Sequence, residues 1–133
     1  MADAKLAASI TTLVIGLIHF VFAILAADPQ NFEMKKALPY ESAEFDTAMV
    51  KKRIYANQAE SIPIQMLAIF WGILNAPDVT WLAYLVYAYC GFRVFFVVLY
   101  LLKVQPFRSL CFAGSWLMTI IIAVTGCTQF KAF

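Results

Sequence analysis

An all-α integral membrane protein, built as a bundle of four spanning helices, is the fold this sequence predicts, and three observations carry that reading. The chain of 133 residues is 63% apolar and 14% charged, against about 45–50% and about 25% in soluble domains. Its apolar residues fall in long unbroken runs, each near the ~20 residues a helix needs to cross ~30 Å of hydrocarbon. The runs lack the alternation over ~10-residue segments that marks barrel strands.

The first run, Ala7 to Ala26, is long for a signal-peptide core, and Ala26-Ala27-Asp28 is a weak cleavage site, so it reads as a retained span. A polar connection follows from Asp28 to Lys52, with turns at Pro29 and Pro39. Its last part, Glu41 to Lys52, is helix-compatible, so the second helix begins outside the bilayer before the span from Ile54 to Leu74. Asn75-Ala76-Pro77-Asp78 is a tight turn, which makes the second and third spans antiparallel neighbours. The third span runs from Val79 to Leu102. Lys103 to Pro106 turns the chain again, with Pro106 suited to the first turn of the last helix, Phe107 to Phe130. Residues 1–133 form a single domain without a convincing internal repeat.

The net charge of +2 is small and no basic block is interleaved with aromatics, which excludes a nucleic-acid binder. Lys35, Lys36, Lys51, Lys52, Arg53, Lys103 and Arg108 gather on the side of the first and third connections, and only Lys5 and Lys131 lie on the other. The positive-inside rule places the basic side in the cytoplasm and both termini across the membrane. The membrane is then the endoplasmic reticulum of a eukaryote or the inner membrane of a bacterium. Cys90, Cys111 and Cys127 are odd in number and form no C-x-x-C pair, so they support neither a disulfide framework nor zinc. His19 has no second histidine and reads as a packed, hydrogen-bonded side chain, so no metal site is expected. The aromatics around Phe92, Phe95, Phe96 and Tyr100 read as lipid-facing or packing surface.

The functional signal is polar. In RIYANQAESIP, Arg53, Asn57 and Glu60 stand at i, i+4 and i+7, near one helix face, with Glu60 ~10 Å deeper than Arg53. An acidic side chain at such depth costs about 2.5–3.5 kcal/mol on insertion scales unless it is paired. Arg93 on the third helix reaches a similar depth with opposite charge, and Tyr100 lies nearer the surface. Arg108 and Ser109 open the fourth helix, where unpaired N–H groups and the helix dipole favour an anion. An Arg93–Glu60 pair alone is equally well read as interhelical glue, worth ~0.6–2 kcal/mol. Surplus arginines and a hydroxyl at one depth call instead for a bound anion. Four helices enclose little interior, so the stripe needs a neighbouring subunit, and an oligomer follows.

The pattern Arg-x-x-x-Asn-x-x-Glu-x-x-Pro (Arg53 to Pro63), with Arg93 and Tyr100 on the next helix and Arg108-Ser109 opening the last, resembles the MAPEG superfamily, the membrane-associated proteins of eicosanoid and glutathione metabolism. The resemblance covers nearly the whole chain and points to its microsomal glutathione transferase-like members. It implies a homotrimer with glutathione bound between subunits near the cytoplasmic face. On this chain it implies that Arg53, Asn57 and Glu60 hold the tripeptide, that Arg93 and Tyr100 line the site, and that Arg108 sits at the sulfur with Ser109 nearby. Lys35 or Lys36 would reach a glutathione carboxylate. Two positions depart from patterns seen in the family: Ala56 replaces a basic residue of some members, and Phe96 a His or Tyr of several.

The expected chemistry is activation of glutathione as thiolate by Arg108, with Tyr100 or Ser109 donating a hydrogen bond. The thiolate then attacks a lipophilic electrophile or lipid hydroperoxide arriving from the bilayer. The rival reading within the same fold is a non-catalytic lipid-binding scaffold. A small channel or transporter would carry polar groups along a whole pathway, whereas here the halves of the helices remote from the cytoplasm are nearly bare.

Overall fold

The computed structural model describes residues 3–25, 47–104 and 106–129. They form four helices: α1 (Ala4–Leu25), α2 (Thr47–Asn75), α3 (Leu82–Leu101) and α4 (Phe107–Gln129), and there is no strand among the described residues. α1, α3 and α4 are long and apolar enough to cross a membrane. α2 is the longest at 29 residues, but Gln58, Glu60, Gln65 and Asn75 dilute its apolar content below that of the others. It begins seven residues before Ile54, in keeping with a start outside the bilayer, and runs unbroken through Pro63.

Two core clusters show that the helices alternate in direction. At one end Ala7 and Ala8 of α1 pack with Ile69 and Ile73 of α2, Leu82 and Val86 of α3 and Ile122 of α4. At the other end Phe22 meets Val50, Ile54, Phe96, Val97 and Tyr100, with Cys111 and Phe112 against them. The backbones of α1 and α4 do not approach closely, and of the other helix pairs α2 and α3 are the least in contact. The tight turn therefore brings α2 and α3 together at the turn, while each packs mainly on α1 and α4. Small residues allow the closest approach: a Cβ on Gly126 would lie 2.7 Å from the Gly72 Cα, and one on Gly72 2.5 Å from the Ile122 carbonyl oxygen.

α3 starts at Leu82, three residues later than the apolar run from Val79 suggests. The Pro77 turn uses those residues, with Val79 N–H donating to the Ala76 carbonyl and Leu82 N–H to that of Val79. The end of α3 is closed by a Schellman motif, in which Lys103 N–H bonds the Tyr100 carbonyl and Val104 N–H that of Leu99. Lys103 occupies the left-handed position at φ 57° that glycine ordinarily fills. Pro106 then offers its carbonyl to Ser109 and Leu110 N–H, starting α4 at Phe107.

The outward faces are apolar, with Leu13, Leu17, Phe20, Leu67 and Leu74 all more than half exposed, as a hydrocarbon solvent demands. Cys90 and Cys111 are half-buried and Cys127 is exposed, all three as free thiols.

Candidate functional site

α2 carries two polar stripes on different faces. Gln58, Ser61 and Gln65, at i, i+3 and i+7, are buried, whereas Glu60 is exposed and Arg53 and Asn57 are half-buried. The neutral stripe closes its hydrogen bonds inside the bundle. Gln58 Oε1 lies 3.4 Å from His19 Nδ1, and the imidazole stacks on Tyr55 at 5.0 Å between centroids, so His19 is the packed side chain its isolation suggests. Ser61 Oγ donates to the Asn57 carbonyl at 2.7 Å. Gln65 accepts from Tyr89 Oη at 3.1 Å and donates to Ser115 Oγ at 3.2 Å. The spacing of Gln58, Ser61 and Gln65 was present in the sequence as a second helical stripe; its lack of charge hid it beside Arg53, Asn57 and Glu60.

The charged stripe lies at the end where α3 turns into α4. There a cavity of about 200 Å³ is lined by Asn57 of α2, Phe96 and Tyr100 of α3, and Arg108, Ser109 and Phe112 of α4. The structure thus brings Asn57, Tyr100, Arg108 and Ser109 to one place. The Arg108 guanidinium lies 4.6 Å from the centroid of the Tyr100 ring, a cation–π contact that fixes the charge over the cavity wall. Tyr100 meets Phe96 edge-on at 5.5 Å, and Phe96 meets Phe112 at 5.7 Å. Asn57 Oδ1 is buried and has no hydrogen-bond partner among the described residues. It is an acceptor available to a ligand N–H.

Arg93 stands behind this cavity and not in its lining. It is 1% exposed, and its guanidinium lies 5.4 Å from the Phe96 ring and 5.9 Å from that of Phe112, the two rings that wall the cavity. None of its three guanidinium nitrogens has a hydrogen-bond partner among the described residues, and Glu60 is exposed. The Arg93–Glu60 pair that their depths suggest is therefore not formed within one copy of the chain. The reason is angular: equal depth does not place two side chains on facing sides of their helices. Arg93 places a positive charge one aromatic ring away from the cavity, where low polarity lets its field carry.

The start of α4 differs from its expected chemistry in one respect. The Arg108 N–H is bonded to the Val104 carbonyl at 3.4 Å and the Ser109 N–H to that of Pro106 at 3.0 Å, so these two are not open donors. No acidic residue occupies the first turn of α4, which leaves its dipole without a carboxylate partner. The groups here that can hold an anion are therefore the guanidiniums and hydroxyls. Arg53 and Glu60 lie outside the cavity lining, and Lys35 and Lys36 lie outside the described residues. No group of three or more potential metal ligands occurs among the described residues.

At about 200 Å³ the cavity that the described residues form is smaller than the ~300–1,000 Å³ of ordinary small-molecule sites. A second cavity, of about 260 Å³, lies at the opposite end by the turn from Leu74 to Val79. Asp78 is the one ionisable side chain in its lining, so it has no comparable set of charges. Compared with known families, residues 9–127 match the model of the MAPEG family. No curated protein and no solved structure matches the chain significantly.

Proposed function

From the premise that the chain belongs to the MAPEG family, which includes glutathione transferases and also non-catalytic members, we propose that it is a membrane-bound glutathione transferase. The observation that carries the proposal is the convergence of Arg108, Tyr100, Ser109 and Asn57 on one cavity. A scaffold that only binds lipid has no use for Arg108, Tyr100 and Ser109 gathered around a cavity of this size.

In this reading the cavity takes the thiol end of glutathione. Arg108 holds the sulfur as thiolate, the Tyr100 or Ser109 hydroxyl donates a hydrogen bond to it, and the thiol proton leaves to water. The thiolate then displaces a leaving group from a lipophilic electrophile, with the protein supplying position and charge. With a lipid hydroperoxide it attacks the terminal oxygen, cleaving the O–O bond to release the lipid alcohol and a glutathione sulfenic acid, which a second glutathione converts to the disulfide and water. Asn57 Oδ1, buried without a partner, accepts from a peptide N–H of the ligand. Arg93 raises the positive potential behind Phe96 and Phe112. Arg53 and Glu60, with Lys35 or Lys36, hold the charged ends of the tripeptide at the boundary with a second copy, in a homotrimer whose active sites face the cytoplasm. The small cavity and the exposure of Glu60 on a membrane helix both support an assembly that completes the site.

The test is to add glutathione to the detergent-purified protein and record the ultraviolet thiolate band. A band that appears on binding, together with conjugation of a chlorodinitrobenzene electrophile, supports the transferase. Glutathione binding without the band, or no binding at all, gives the fold to a lipid-binding scaffold.

A further inference from the structure

We infer that Gln65 is a positioning residue for this site, clasping together the three helices that build it; the inference rests on the thiolate reading above. Its side-chain amide is buried with no exposed surface. It faces α3 and α4 at once, accepting from Tyr89 Oη at 3.1 Å and donating to Ser115 Oγ at 3.2 Å. Ser115 Oγ in turn donates to the Phe112 carbonyl at 2.7 Å, and Phe112 is part of the cavity wall. The chain Tyr89, Gln65, Ser115, Phe112 thus runs from α3 through α2 to the backbone of α4 beneath the cavity.

The register makes this more than packing. Gln65 is eight residues beyond Asn57, Tyr89 eleven before Tyr100, and Ser115 seven beyond Arg108. At 1.5 Å per residue the clasp lies ~10–16 Å below the cavity on all three helices, and Tyr89 and Ser115 fall within ~20° of the helix faces that carry Tyr100 and Arg108. A shift of any helix along its axis breaks one of the two Gln65 bonds. It would also move Asn57, Tyr100 and Arg108 relative to one another. Apolar contacts between these helices tolerate such sliding far better than a two-bond amide clasp does. A displacement of ~1 Å at reacting groups can cost up to ~10²-fold in rate, so the clasp acts more on rate than on affinity.

The experiment uses the full chain in detergent with glutathione and a chlorodinitrobenzene electrophile. Three variants are compared: Gln65→Met, which keeps volume and removes both bonds, and Tyr89→Phe and Ser115→Ala, which remove one hydroxyl each. For Gln65→Met the expected result is a kcat about tenfold lower, a KM for glutathione within about threefold of wild type, and a thiolate midpoint about one pH unit higher. The two hydroxyl variants move in the same direction by less. If Gln65→Met loses its helical circular dichroism, the hydroxyl variants decide the matter. A rise in KM at unchanged kcat, or an unchanged thiolate midpoint in the folded variants, overturns the positioning role and leaves the site reading intact. A wild-type protein without the thiolate band removes the site reading, and the inference with it.

Discussion

Replacing Arg108 with alanine tests the charge logic of the site most directly. A thiol of ordinary pKa, about 8.5, is about 3% ionised at pH 7. A guanidinium at a contact distance of ~4 Å interacts with a thiolate by about 4 kcal/mol at an effective dielectric of ~20. Arg108 is half-buried, so solvent screens part of that, and a depression of about two pKa units remains. The bound thiol is then about 75% ionised at pH 7, so the substitution lowers the thiolate fraction about 25-fold. The sign is unambiguous, because the thiolate is the form present above the pKa: the rate profile of Arg108→Ala shifts to higher pH by about two units and recovers near pH 9. The assay is the pH dependence of the thiolate band and of conjugation, in wild type and variant, at saturating glutathione. An identical midpoint in the two proteins refutes the argument, because no other route ties Arg108 to the sulfur.

Other substitutions separate the remaining parts. Tyr100→Phe keeps the ring under Arg108 and removes the hydroxyl; it should lower conjugation about tenfold and more than Ser109→Ala does, since Tyr100 is buried and Ser109 exposed. Arg93→Met should leave thermal stability unchanged or raised, because it removes a buried charge that has no hydrogen-bond partner among the described residues, while glutathione affinity, read by calorimetry, falls. Gly72→Ala should destabilise by about 1–3 kcal/mol in detergent melts through its clash with the Ile122 backbone. Gly16→Ala, where an added Cβ meets nothing within 4 Å, serves as the matched control without that penalty. Lys103→Gly should stabilise by up to about 1 kcal/mol by relieving the left-handed residue at the end of α3.

The helices were legible because their apolar runs are long and end at prolines and polar turns. Val79 misled as the start of α3 because it is apolar yet belongs to the Pro77 turn. Arg53, Asn57 and Glu60 share one stripe, as their spacing says, but spacing does not reveal which face of α2 is buried. The structure buries the neutral stripe of Gln58, Ser61 and Gln65 and leaves Glu60 exposed. Uncharged amides find partners within the bundle, whereas the Glu60 carboxylate stays on its outside. Depth along a helix correctly brought Tyr100 and Arg108 to the same level. It could not supply the angle that keeps Arg93 from Glu60 or the aromatic wall that separates Arg93 from the cavity.

The uneven polarity of the four helices also bears on how the chain is made. α1, α3 and α4 can each enter a bilayer on their own apolar content, whereas Glu60 alone adds about 2.5–3.5 kcal/mol against insertion of α2. The short link from Ala76 to Trp81 ties α2 to the apolar α3 that follows it, so the apolar content of α3 favours entry of α2 beside it. Gln58 then meets His19 on a helix already in place, but Gln65 waits for Ser115, which belongs to the last helix synthesised. Gln65 is therefore bonded at both ends of its amide only once α4 is in place.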